Sequence, residues 1–217
     1  MFDDRRDAGE KLARALEKCK DSGALVLAIP RGGAAVGLQV AKYLNADFSL
    51  LISRKLPYPF DPEAGFGAIA EDGSTVFVEG ALASLPQEFV DQVAEEQKRE
   101  IVRRVKALRG SGPLPEIKGR TVILIDDGIA MGSTMRAAVK MCRNRGAKKI
   151  IVAAPISSIE AEKEFSHLAD EAVILDKPEF FQAVAEGYRD WYDLNDKEVL
   201  GIMLEWEDFL RKKRKDN

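Results

Sequence analysis

Short apolar runs alternating with amphipathic stretches constrain this chain more than any other feature. Residues 24–29, 48–52, Thr121–Ile125, 150–154 and 172–175 are each of strand length and predominantly apolar in both phases of a two-residue period, as strands buried on two faces require. Between them lie helical patterns. Residues 7–20 place Leu12, Ala15, Leu16 and Cys19 on one stripe closed by Asp21-Ser22-Gly23, residues 133–145 end at Gly146, and Ile159–Leu168 forms a third such stretch. The apolar run 24–29 is broken by Pro30-Arg31-Gly32-Gly33, which opens a helical stretch to Leu44. This alternation predicts an α/β fold built on a doubly wound, mostly parallel sheet, in which ligands bind beyond the carboxyl ends of the strands.

One segment breaks the alternation. Residues 54–67 hold three prolines and two glycines and read as a long loop; residues 68–70 and 75–78 then flank Asp72-Gly73 as a small β-hairpin. A highly charged helix over 86–108 and a linker over 110–115 return the chain to the core, and a last helix over 196–210 turns Val199, Ile202, Met203 and Trp206 inward. At 217 residues the expectation is a single domain, 1–217, in which 54–112 is an elaboration comprising flap, hairpin and charged helix.

Composition excludes some classes of partner. A formal net charge of −3 gives no general attraction to nucleic acid, and the basic run Arg211 to Lys215 reads as a solvated helix end. The charged opening Met1 to Arg6 lacks a signal's apolar core and no later run approaches a membrane span, so the expectation is a cytoplasmic protein with no membrane partner. Cys19 and Cys142 have no cysteine or histidine at metal-ligand spacing and read as small core residues; the sole histidine, His167, reads as a surface or packing residue.

The chemistry concentrates where the most apolar strand ends. Asp126-Asp127 are followed by Gly128-Ile129-Ala130-Met131-Gly132-Ser133-Thr134, which opens a helix. Backbone N–H groups, the two hydroxyls and the positive helix end favour a phosphate, because donors converge where glycine removes side-chain bulk. Carboxylates are acceptors, so beside a phosphate they suit sugar hydroxyls or a metal ion, and a ribose bearing a terminal phosphate satisfies both halves. An acidic pair can also merely cap a loop. The glycines at 32, 33 and 37 do not fit a dinucleotide fingerprint, and no phosphate-loop NTPase signature occurs.

Residues 122–134 resemble the ribose-phosphate signature of type I phosphoribosyltransferases. The resemblance implies a Mg²⁺-dependent enzyme that moves the 5-phosphoribosyl group from phosphoribosyl pyrophosphate to a nitrogenous acceptor, with pyrophosphate released. By it, Asp126 and Asp127 would hold the ribose hydroxyls and offset developing positive charge, and Gly128 to Thr134 would cradle the 5′-phosphate. Pro30-Arg31-Gly32-Gly33 is similar to the family's pyrophosphate loop, which assigns pyrophosphate binding to Arg31, Gly32 and Gly33, with Arg31 also catalytic. Arg54 and Lys55 would close over pyrophosphate from a flap. Mg²⁺ would be carried mainly by the substrate, near Asp126 and Asp127, with no dedicated protein ligand assigned. Two departures matter: Met131 stands where many members carry Thr, and Ala130 where 6-oxopurine enzymes carry an Asp, so those purines are less favoured acceptors. The aromatics of 177–192 stand as base-stacking or as core residues, and the elaboration as a hood or a homodimer contact. A non-catalytic sensor of phosphoribosyl pyrophosphate or a nucleotide is the competing reading, since one fold serves many functions.

Overall fold

A computed structural model describes residues 1–61, 64–110 and 112–216. Five parallel strands form the main sheet: β1 (Leu25–Ala28), β2 (Asp47–Leu50), β6 (Thr121–Ile125), β7 (Lys149–Ile156) and β8 (Glu171–Asp176), in the spatial order β2-β1-β6-β7-β8. Val26 pairs with Phe48 on one side and Ile123 on the other, and Ile123 pairs in turn with Ile151. Because side chains alternate across the pleat, Val26, Ala28, Ile123, Ile125, Ile151 and Ala153 join one core, while Leu25, Leu27, Val122, Leu124, Ile150 and Val152 join the other. That double burial is why these strands read as continuous apolar runs.

Helices cover each face. α1 (Arg5–Ala15), α2 (Gly32–Leu44) and α6 (Asp196–Asp216) contribute Leu12, Val36 and Trp206 to the first core; α4 (Ser133–Asn144) and α5 (Ile159–Leu168) contribute Met141 and Phe165 to the second. Both cysteines are buried, and burial pushes the Cys142 thiol up to about 12, which suits a small core side chain. His167 is bonded to the Lys163 carbonyl on the exposed face of α5.

The stretch expected to be a long loop is partly a strand. β3 (Ser53–Pro57) pairs antiparallel with β4 (Gly65–Ala70), and β4 with β5 (Thr75–Phe77), giving a separate three-stranded sheet with β3 at its edge. An edge strand tolerates Arg54, Lys55 and Pro57, which masked it in the sequence. The expected hairpin is present, with Ile69 opposite Thr75 across the Asp72-Gly73 turn. Pro62 and Glu63 of the expected loop and Ser111 of the expected linker lie outside the described residues.

The charged helix α3 (Gln87–Arg109) is fastened to this small sheet at its C-terminus. Arg109 donates to Glu71 Oε1 at 2.9 Å and Oε2 at 2.5 Å, and to the Leu50 carbonyl at 2.7 Å, while Glu71 Oε1 accepts from the Ile52 N–H at 3.0 Å. Both side chains are buried, so each charge needs the other. The basic run continues α6 to Asp216, beyond the expected end at 210. Among the described residues no helix is long and apolar enough to cross a membrane.

Candidate functional site

β1 and β6 are neighbours, and their connections depart in opposite directions, since β1 leads to β2 on its far side and β6 to β7. Such a reversal opens a crevice at the carboxyl ends of the two strands. Ile29 donates to the Ile125 carbonyl at 2.8 Å, which holds the two turns together one residue past the ladder. The turn before α2 lies against the acidic pair. A β-carbon on Gly32 would stand 1.7 Å from Asp127 Oδ2, and one on Gly33 would stand 2.8 Å from the Ile125 carbonyl oxygen and 2.9 Å from Asp126 Cα.

The turn after β6 is anchored from behind. Ile129 donates to the Ile156 carbonyl at 2.9 Å and accepts from Ser158 at 3.3 Å, and Phe165 fills the space a side chain at Gly132 would need. Gly132, at φ 68°, is the residue before α4 and caps it with no side chain. The first N–H groups of α4 therefore have no intrahelical partner and point, with the helix dipole, at the crevice. Among the described residues the Ser133 and Thr134 hydroxyls make no hydrogen bond. A cavity of about 380 Å³ lies in front of them, lined by residues 128–135 with Lys55, Asp126, Gln182 and Val184.

A second cavity, of about 260 Å³, shares Asp126 and Val184 and is lined further by Arg5, Arg31, Gly32, Asp127 and Trp191. Asp126 is thus the acid that faces both. Burial and the neighbouring Asp127 carboxylate push its carboxyl well above the usual range, although the Asp127 N–H donates to its Oδ1 at 2.9 Å.

Of the basic residues singled out in the sequence, Arg31 lines the second cavity and stands 4.0 Å from Asp196, the first residue of α6. Lys55 lines the first. Arg54, one residue earlier on β3, is turned onto α3, where its Nε donates to Gln97 Oε1 at 3.0 Å; burial and then the Arg104 charge lower its pKa. Exposed Met131 and Ala130 sit on the rim of the first cavity.

Arg5 is the site residue that the sequence did not suggest. Its guanidinium is buried, donates from Nε to Asp127 Oδ2 at 2.8 Å and from Nη1 to the Tyr192 carbonyl at 2.8 Å, and lies 3.9 Å from the Trp191 ring centre. Tyr188, whose phenol burial pushes up, donates to the Asp127 carbonyl. These two aromatics therefore support the acidic turn, with Trp191 also lining the second cavity, whereas Phe180 is 85% exposed. No cluster of three or more His, Cys, Asp or Glu able to hold a metal occurs among the described residues. Of the groups at the crevice, the Asp126 and Asp127 carboxylates could hold a hydrated divalent cation.

Residues 3–189 match the family described as the phosphoribosyl transferase domain. A provisionally named phosphoribosyl transferase of Mycobacterium tuberculosis (strain ATCC 25618 / H37Rv) is 39% identical over 205 residues, covering 94% of this chain and 46% of the relative. The chain thus spans about half the length of that curated relative. The crystal structure of the Thermus thermophilus protein TT1426 superposes with a TM-score of 0.81 at 36% identity, covering 94% of this chain and 98% of the other.

Proposed function

Because the chain belongs to the phosphoribosyl transferase family, we propose that it binds phosphoribosyl pyrophosphate with Mg²⁺ across the β1/β6 crevice and transfers the phosphoribosyl group to a nitrogenous acceptor. The observation that carries this reading is the placement of Asp126 between two cavities, one faced by the open N-terminus of α4 and the other by Arg31 and Gly32. The free N–H groups of α4, with Ser133 and Thr134, take the 5′-phosphate. Asp126 and Asp127 accept the ribose hydroxyls, and the pyrophosphate reaches Arg31 and the bare backbone of Gly32 and Gly33.

The acceptor nitrogen forms a bond to ribose C1 as the bond from C1 to the pyrophosphate oxygen breaks, and the electron pair leaves with pyrophosphate. Positive charge develops on the sugar and negative charge on the leaving group. The two aspartates offset the first and Arg31 the second, all held before reaction begins, which is where preorganised electrostatics acts. Lys55 adds a further cation beside the phosphate cavity. Bound Mg²⁺ supplies additional charge neutralisation to the pyrophosphate, with Asp126 positioned to assist in holding it.

Ala130 offers no carboxylate at the rim, which disfavours acceptors whose attack needs an acid–base group there. The test is pyrophosphate release from phosphoribosyl pyrophosphate and Mg²⁺ across a panel of nucleobases and simple amines. Release with at least one acceptor, reduced by about 10²-fold or more in Asp126→Asn/Asp127→Asn, is the expected result. Saturable binding with no release for any acceptor would replace transfer by sensing.

A further inference from the structure

The two acids at the end of β6 are differently equipped, and the difference originates in the first residues of the chain. Phe2 pairs in parallel with Tyr188: the Phe2 N–H donates to the Gly187 carbonyl at 2.7 Å, and the Phe2 carbonyl accepts from Arg189 at 2.8 Å. Asp190 donates to the Asp3 carbonyl at 2.9 Å, and Asp4 caps α1 through the Asp7 N–H. This clasp of residues 2–5 with 187–192 delivers the Arg5 guanidinium beneath Asp127. An arginine is suited to the position because its planar head bonds sideways to two oxygens while its face lies on a ring.

We propose that Arg5 is a positioning residue for the sugar: by holding Asp127 Oδ2, while itself fixed by the Tyr192 carbonyl and the Trp191 ring, it leaves Asp127 Oδ1 as a rigid acceptor for one ribose hydroxyl. Asp126, which faces both cavities, takes the remaining contacts. Gly32 completes the mould, since any side chain there would displace the same Asp127 carboxylate. Arg5 also borders the second cavity, and its part in holding the sugar is exerted through Asp127. The inference rests on the ribose reading given above and assigns a division of labour within it.

Ribose 5-phosphate and inorganic phosphate share the anion that α4 would take and differ in the sugar, so their affinity ratio isolates the hydroxyl contacts. Both are titrated by NMR against the wild type, Arg5→Gln and Arg5→Lys, with urea unfolding of each protein as the folding control. In Arg5→Gln the affinity for ribose 5-phosphate is expected to fall by about tenfold or more while that for phosphate stays within about twofold, as loss of a charge-assisted hydrogen bond predicts. Arg5→Lys keeps the charge without the fork and is expected to recover part of the loss. The proposal is overturned if Arg5→Gln binds ribose 5-phosphate as the wild type does, if both ligands weaken equally, or if Arg5→Lys is no better than Arg5→Gln. If the wild type itself binds ribose 5-phosphate no tighter than phosphate, the ribose reading falls and this role with it. Failure of the variants alone removes only the role of Arg5.

Discussion

At the residue scale the site sets two neighbouring carboxylates against bare glycine backbone. Asp126 is kept among protein groups beside a second carboxylate, and both conditions favour its neutral form, so its folded pKa lies above the unfolded one. The sign follows: the associated stability is present below the unfolded value of about 3.9 and is lost as pH rises through the folded value. Asn cannot titrate. Asp126→Asn is therefore expected to unfold at higher urea than the wild type at pH 7, by on the order of 1 kcal/mol, with the gap closing towards pH 4, while sugar binding is lost. Equal stability of the two proteins across that range would show that the wild-type fold bears no cost from this carboxylate. The acids and the glycines beside them were legible in the sequence because each belongs to a local run with its own chemical logic. Arg5 was not, since it is an ordinary arginine in a charged opening segment and its partner is 122 residues away.

Elements show the same divide between local and distant causes. The inner parallel strands β1, β6 and β7 could be read because burial on both faces forces apolar residues into nearly every position, and the helices because each has one apolar stripe. β3 was misread as loop because it lies at a sheet edge, with only Ser53 and Leu56 buried between polar or ring-constrained neighbours. Beyond the shared apolar core, one tie between α3 and the turn after β4 is equally silent in sequence: a buried pair, Glu71 and Arg109, separated by 38 residues. Arg109→Met leaves the Glu71 carboxylate buried without its counter-ion and is expected to cost about 3–5 kcal/mol in urea unfolding. Arg109→Met/Glu71→Leu should cost less than the sum of the two single changes, because neither partner then remains as an isolated buried charge. Strict additivity in that cycle would mean that the pair does not couple the turn after β4 to α3.

Over the whole molecule, the crevice draws on segments from both ends of the chain: residues 2–5, the turn before α2, the turn before α4, and residues 182–194. None of these pieces is a binding site alone. A ligand that spans the crevice engages several of them at once, directly or through Asp127, so its free energy of binding opposes global unfolding rather than the opening of one loop. At a concentration about 100 times its dissociation constant, phosphoribosyl pyrophosphate with Mg²⁺ is expected to add about 2.7 kcal/mol to the unfolding free energy at 25 °C. Inorganic phosphate at the same concentration, reaching only the N-terminus of α4, should add far less. In Asp126→Asn the gain from phosphoribosyl pyrophosphate should collapse towards the phosphate value, because the shared acid that joins the two cavities no longer carries charge. Urea titrations of the two proteins with each ligand decide it: an undiminished gain in Asp126→Asn would show that the ligand does not bridge the crevice through that residue.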